Sequence, residues 1–387
     1  MFHRVLTAVA LSVTLLVSAC ADADERAEEF YQSGLELLAQ GDLARAAIEF
    51  RNVLQQVETH VGARLELAGI LEAQGNPSGA YAQYRYVSEL EPEEAGPFQA
   101  MARIAISNVN WEEAERTGRR AIELAPDDDV TQPIRLSLEF RQAALDQEPA
   151  RQEAIAAEAL QLVEADPSDL LSRRVVIAHE MASNRPSVAL PHIDSAIAQE
   201  PDDLRYYIIK LQALNALQED DEVEAHLRQM YAQFPENRDV QQSLITFYLQ
   251  RQDVDSAESF LRELAGDETG DTAGFVTIIQ LLEQTGGPEA ARAEVERLIA
   301  ANAEQPENRA FYRALRASYT FEAGDAEAAI TEMQQILETA EPSQQTRRIK
   351  NSLAEMLLRT GNRVGGRALI EEVLVEDTAN VAALKLR

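Results

Sequence analysis

Residues 27–60 read AEEFYQSGLELLAQGDLARAAIEFRNVLQQVETH, residues 61–94 read VGARLELAGILEAQGNPSGAYAQYRYVSELEPEE, and residues 95–128 read AGPFQAMARIAISNVNWEEAERTGRRAIELAPDD. Set one above another, the three lines share a ruler of 34 residues. Ala46, Ala80 and Ala114 fall in one column, Pro92 and Pro126 in another, and the turn pairs Gly41-Asp42 and Gly75-Asn76 in a third. In the first line Phe30, Leu37 and Leu38 stand at helical spacing, Gly41-Asp42 stops the run, and Leu43 to Val57 carries Ala46, Ala47, Phe50, Val53 and Leu54 on one face. Each line therefore predicts a pair of helices folded back on one another.

A hairpin of this kind needs a small residue where its helices cross most closely. Ala46, Ala80 and Ala114 supply it, and a ring four residues later, Phe50 or Tyr84, fills the space beside it. The pattern resembles the tetratricopeptide repeat (TPR), whose signature runs W-x2-L-G-x2-Y, then A-x3-F, then P. The first copy gives Phe30-x2-Ser33-Gly34-x2-Leu37 and Ala46-x3-Phe50; the second gives Arg64-x2-Leu67-Ala68-x2-Leu71, Ala80-x3-Tyr84 and Pro92. The resemblance implies an all-α, right-handed α-solenoid of about ten TPR-like helical hairpins. An end-to-end repeat does not need the two or three domains that a globular chain of 387 residues would form.

Beyond the three regular copies at 27–128 the ruler breaks. Pro126 and Pro167 are 41 residues apart, and 129–169 reads as an irregular helical hairpin, with runs at 130–145 and 150–165 joined by Asp146-Gln147-Glu148-Pro149. The period then resumes through Pro167, Pro201 and Pro235, and 170–380 holds six further copies. These include Ala189, Ala196 and Ala257 as crossing residues and turns at Gly286-Gly287-Pro288, Gly324-Asp325 and Gly361-Asn362. Residues 381–387 start another first helix without a polar cap, which predicts either a longer natural chain or a partner over that end.

Composition narrows the function. The chain has 66 acidic against 35 basic residues, a net charge of -31. Such a surface disfavours nucleic acid, which proteins hold by neutralising phosphates with Lys and Arg. The acids gather in connections, at Asp127-Asp128-Asp129, Asp202-Asp203 and Glu219 to Glu222, where they read as helix caps and solvated loop charge rather than metal ligands.

The first 19 residues read as an export signal: a basic start at His3 and Arg4, then an apolar run from Val5 to Val17 too short to span a bilayer. The run ends in Leu16-Val17-Ser18-Ala19-Cys20, which resembles a bacterial lipobox. That resemblance implies cleavage before Cys20, acylation of its sulfur and new amino group, and a short tether over 20–26. Ala21 follows directly with Asp22 second, which in the sorting logic of such lipoproteins implies the periplasmic face of the outer membrane of a Gram-negative cell envelope. Cys20 is the sole cysteine, so no intramolecular disulfide is available.

Candidate chemistry is sparse. His3, His60, His179, His192 and His226 sit in separate segments, and no His-Glu-x-x-His run, phosphate loop or nucleophile elbow is present. The reading is therefore non-enzymatic, with no catalytic residue, metal or cofactor assigned. Trp111, the sole Trp, reads as packing between repeats. A solenoid offers a concave surface lined by the first helix of each hairpin. The groove positions that the TPR resemblance implies select Gln99 and Arg103 in the third copy, Arg174 and Met181 in the fifth, Arg205, Gln212 and Asn215 in the sixth, and Gln242 and Gln250 in the seventh. These side chains suit an extended peptide or protein partner. Reversal of Arg174 and Arg205 to Glu is expected to weaken partner capture with helicity intact.

A lipobox followed at once by degenerate repeats, Phe30-Tyr31-x-x-Gly34 and then Ala46-Ala47-Ile48-Glu49-Phe50-Arg51-Asn52-Val53-Leu54, is similar to the TPR lipoproteins of exopolysaccharide and PEP-CTERM sorting systems. The similarity implies a lipid-anchored scaffold that brings proteins together at the outer membrane. Two rivals stand beside it: a cell-wall or outer-membrane assembly factor that positions an enzyme, and a glycan-acting enzyme on the same frame, which needs converging carboxylates.

Overall fold

The computed structural model describes residues 23–387, which form helices joined by short turns with no strand among them. Cys20, the export segment and the start of the tether lie outside the described residues. The first helix, α1, covers 23–39. It pairs with α2 (Leu43–Gln56), and further hairpins follow as α3 (Val61–Ala73) with α4 (Pro77–Leu90), α5 (Ala95–Ser107) with α6 (Trp111–Leu124), and α7 (Thr131–Leu145) with α8 (Pro149–Ala165). Next come α9 (Leu170–Ala182) with α10 (Pro186–Gln199), α11 (Leu204–Leu217) with α12 (Asp220–Gln233), and α13 (Arg238–Gln250) with α14 (Val254–Ala265). The helix α15 (Thr272–Ala301) is itself a hairpin, broken at Gly287 (φ 80°, ψ -178°) before Pro288. The chain ends with α16 (Pro306–Glu322), α17 (Ala326–Thr339), α18 (Gln344–Arg359), α19 (Arg363–Glu376) and the short α20 (Val381–Leu386). The all-α solenoid of hairpins implied by the sequence is the observed fold.

Six of the hairpin turns share one capping device. Asp42, Asn76 and Asn110, once more 34 residues apart, N-cap α2, α4 and α6. Their side-chain oxygens accept the backbone N–H of Arg45, Gly79 and Glu113 at 3.1, 2.9 and 3.4 Å. Asp253, Asp325 and Asn362 do the same for α14, α17 and α19. Ahead of the second helix the chain reverses through one left-handed residue. Five of these are glycines, at 41, 75, 287, 324 and 361, and five are not: Val109, Gln147, Asn184, Gln218 and Gln252. The glycines were legible as turns and Gln147 fell in the joint read at 146–149, whereas Val109, Gln218 and Gln252 carry side chains that give no sign of a left-handed backbone.

Five residues past the left-handed position comes the crossing residue. Ala46, Ala80, Ala114, Ala189, Ala257 and Ala329 occupy it, all fully buried, and Gly366 takes it in the last hairpin. Gly34 is the matching small residue on α1, since a Cβ there would lie 2.7 Å from the Phe50 ring. Joints between hairpins are tied by a side chain reaching back six residues: Arg64 donates to the Glu58 carbonyl, Gln132 to Pro126, Arg173 to Pro167 and Gln241 to Pro235. These bonds satisfy carbonyls that the turns would otherwise leave open.

The chain divides into two compact units, one ending at Val223 and one running from Glu224 to Arg387. Small cores follow one another along the N-terminal unit. Phe50, Val53, Leu67 and Ile70 form the first, Ile134 and Leu138 with Ala114 the second, and Leu136, Ile155, Val175 and Val176 the third. In the C-terminal unit, Met333, Ile336, Ile349 and Leu353 make one core, and Ile370, Val373 and Leu374 another. That unit also buries a charge. The Glu294 side chain, 4% exposed, accepts from Arg262 Nη1 at 2.9 Å and from Arg297 Nε and Nη2 at 2.9 and 2.8 Å. Burial pushes the Glu294 carboxyl up, but the hydrogen bonds of Arg297 and Arg262 outweigh it and hold it below the usual carboxylate value.

Candidate binding cavity

In the N-terminal unit four first helices, α5, α7, α9 and α11, enclose a cavity of about 450 Å³. Helical periodicity explains which side chains reach it. On α9, Arg174, Ala178 and Met181 stand at i, i+4 and i+7; on α11, Arg205, Ile209 and Gln212 repeat that spacing; on α7, Ser137, Phe140, Arg141 and Ala144 share a face. Ile106, Val109 and Trp111 close the cavity at the end of α5 and the start of α6, and Val175, Ile177 and Tyr206 complete its wall. The lining is apolar and aromatic, with three guanidinium groups around it.

The three arginines are in different states. Arg174 donates to Tyr206 Oη, to Ser107 Oγ at 3.0 Å and to Glu200 Oε2 at 3.1 Å, and its guanidinium lies 5.5 Å from the centre of the Tyr206 ring. Arg205 grips the Asp203 carboxylate with Nε and Nη2 and donates Nη1 to the Ser107 carbonyl. Two cations thus meet at the last residue of α5, where the helix presents its partial negative charge. Burial raises the Tyr206 phenol to about 12. Burial also acts to raise the Asp203 carboxyl, but the Arg205 hydrogen bonds and the Arg174 charge overcome it and hold that group low. Arg141 lies 4.6 Å from the centre of the Trp111 ring, and among the described residues no carboxylate comes within ion-pair distance of it.

Of the side chains that the groove positions selected, Arg174, Met181, Arg205 and Gln212 converge on this cavity. Asn215 is exposed farther along α11. Gln99 is a correction: it is buried, and its amide donates to Asp128 Oδ1 at 2.9 Å and Thr131 Oγ1 at 2.8 Å, which occupies it inside the fold. Arg103 pairs with Glu72 and borders a neighbouring, more polar cavity of about 630 Å³ that also holds Asp129, Asp169 and Glu200. Gln242 and Gln250 are exposed in the C-terminal unit, Gln242 donating to Thr246 Oγ1 at 3.2 Å. Phe140 and Arg141 were missed because they lie in the irregular hairpin, where the 34-residue ruler assigns no groove positions. Trp111 packs against the Ile134 and Leu138 core and also lines the cavity, so packing is only part of its role.

Val109 marks the cavity lip with strain. Its φ is 58°, a left-handed backbone that a β-branched residue adopts at a cost of about 1–2 kcal/mol. The same place in the two preceding hairpins is held by Gly41 and Gly75, and the exposed Val109 side chain stands where the turn borders the cavity. Val109→Gly is therefore expected to stabilise the N-terminal unit by about 1 kcal/mol. Urea unfolding followed by Trp111 fluorescence checks it, and a loss of stability would show that the turn is unstrained.

Residues 31–98 and 216–275 match models of the tetratricopeptide repeat. These two stretches are tetratricopeptide repeats. No curated protein matches the chain. Among solved structures, a tetratricopeptide repeat protein of Parabacteroides merdae is 12% identical, with 68% of this chain and 99% of that one aligned and a TM-score of 0.42. PilF of Pseudomonas aeruginosa is 15% identical over 57% of this chain and 97% of its own, with a TM-score of 0.38. A thermophilic tetratricopeptide repeat protein of Thermus thermophilus is 17% identical over 49% of this chain and 98% of its own, with a TM-score of 0.33. The first matched stretch holds α2, α3 and α4, and the cavity lies beyond it, on α5, α7, α9 and α11.

Proposed function

We propose that this chain is a non-catalytic protein–protein interaction scaffold, anchored through acylated Cys20 to the periplasmic face of the outer membrane, where it supports exopolysaccharide export or envelope assembly. The observation that carries the binding role is the apolar cavity on the first-helix face of α5, α7, α9 and α11, which bears anchoring arginines. Tetratricopeptide repeats suit this role because stacked first helices present a long surface to an extended peptide or a protein. The anchor rests on the sequence at Leu16 to Cys20. No helix of the described residues is long and apolar enough to cross a membrane. Several acyl chains hold a protein on a bilayer where one chain would be marginal.

Crosslinking in cells followed by partner identification tests the scaffold role and separates export from cell-wall assembly. Purified protein that alters polysaccharide or peptidoglycan with no partner present would overturn it. Cys20→Ser is expected to move the protein from the membrane fraction to the soluble one; retention in the membrane would remove the lipid anchor from the proposal.

A further inference from the structure

We infer that the cavity selects a peptide in which a bulky apolar side chain stands next to a carboxylate, the apolar group entering between Phe140, Met181 and Ile209 and the carboxylate meeting Arg141. This rests on the peptide-binding reading above and adds the chemistry of the peptide. A cavity of about 450 Å³ lined by Ile106, Trp111, Phe140, Met181 and Ile209 offers an apolar guest its main gain, the removal of its surface from water. The charge rule comes from the arginines. Arg174 and Arg205 are held by Glu200 and Asp203, but Arg141 has no carboxylate partner among the described residues and lies over the Trp111 ring at the wall. What sets Arg141 apart from Arg174 and Arg205 is that its guanidinium lines the apolar cavity with an aromatic ring, not a carboxylate, beside it. A guest carboxylate supplies its missing partner through a charge-assisted, bidentate hydrogen bond. A peptide fits better than a free amphiphile because first helices α7, α9 and α11 line the cavity together and Asn215, exposed one turn past the lining Gln212, offers a backbone a polar contact beyond it.

Trp111, the only Trp in the chain, lines the cavity and reports its occupancy without a label. The experiment titrates the purified chain with capped hexapeptides in which Phe-Glu, Ala-Glu or Phe-Lys is flanked by glycines, and with sodium dodecanoate, reading Trp111 emission and heat of binding. Phe-Glu is expected to bind, with Ala-Glu and Phe-Lys each at least about tenfold weaker, the range of one charge-assisted hydrogen bond or one buried ring. Arg141→Glu, checked for unchanged helicity, is expected to reverse the preference between Phe-Glu and Phe-Lys. Equal binding of Phe-Glu and Phe-Lys, or a preference that Arg141→Glu leaves as it was, overturns the charge rule while peptide binding stands. Saturation by dodecanoate alone assigns the cavity to an amphiphile and overturns the inference. Silence from every hexapeptide also overturns it, and the scaffold reading then stands or falls on the crosslinking in cells.

Discussion

Arg174→Glu destabilises the N-terminal unit by about 2 kcal/mol at neutral pH, the cost of unpairing the hydrogen-bonded partners of a mostly buried guanidinium whose carboxylate partner, Glu200, is itself 42% exposed. The Arg174 side chain is 19% exposed and holds Tyr206, Ser107 and Glu200 together. A carboxylate in its place leaves those groups unpaired and adds a third acid beside Glu200 and Asp203. The expectation from sequence, weaker capture with helicity intact, gives way because the charge of Arg174 is already engaged within the fold. Acid separates the two proteins. In the wild type the folded Asp203 value lies below the unfolded one, so its stabilisation is complete above pH about 4 and is lost as pH falls through the folded value. In the variant the introduced carboxylate faces Glu200 and Asp203, and protonation among the three as pH falls relieves their repulsion. Urea midpoints read by Trp111 fluorescence at pH 7 and pH 5 should therefore draw together. A gap that persists at pH 5, or none at pH 7, refutes this account.

Glu294→Ala is expected to cost the C-terminal unit about 2–3 kcal/mol, because it removes the buried carboxylate that Arg262 and Arg297 share and leaves Arg262 with Glu258 and Arg297 with Glu268 alone. Glu294→Gln keeps an acceptor and should lose less. Trp111 lies in the other unit, so its fluorescence transition should stay in place while the circular dichroism gains an earlier, Trp-silent phase. Since the folded Glu294 value is held low, wild type and Glu294→Gln should converge as pH falls through that value. A Trp111 transition that moves together with the dichroism would show that the effect is not confined to the C-terminal unit.

The fold was legible because a repeat multiplies weak signals. One Ala-x3-Phe means little, but Ala46, Ala80 and Ala114 on one ruler define a hairpin, and the structure buries all three completely. The site was legible only in part. Groove positions counted along a regular copy found Arg174, Met181, Arg205 and Gln212, because a first helix keeps its face when the period holds. The count failed at Phe140 and Arg141, where longer joints shift the register. It also put Gln99 on the groove, although a polar residue at a groove position can bond inward as readily as outward. Left-handed Val109 was invisible for a different reason: sequence shows which residues prefer that backbone, not which are held in it by their neighbours.

The two arginines that meet at Ser107 change how the N-terminal unit comes apart. In a stack where each hairpin touches only the next, opening starts at any joint and spreads. Here Arg205 is bonded to a carbonyl 98 residues earlier, across two intervening hairpins. That tie closes a long loop and opposes separate opening of the joints between α5 and α11. Amides from α5 to α11 are therefore expected to exchange with solvent more nearly together than hairpin by hairpin, which hydrogen exchange checks.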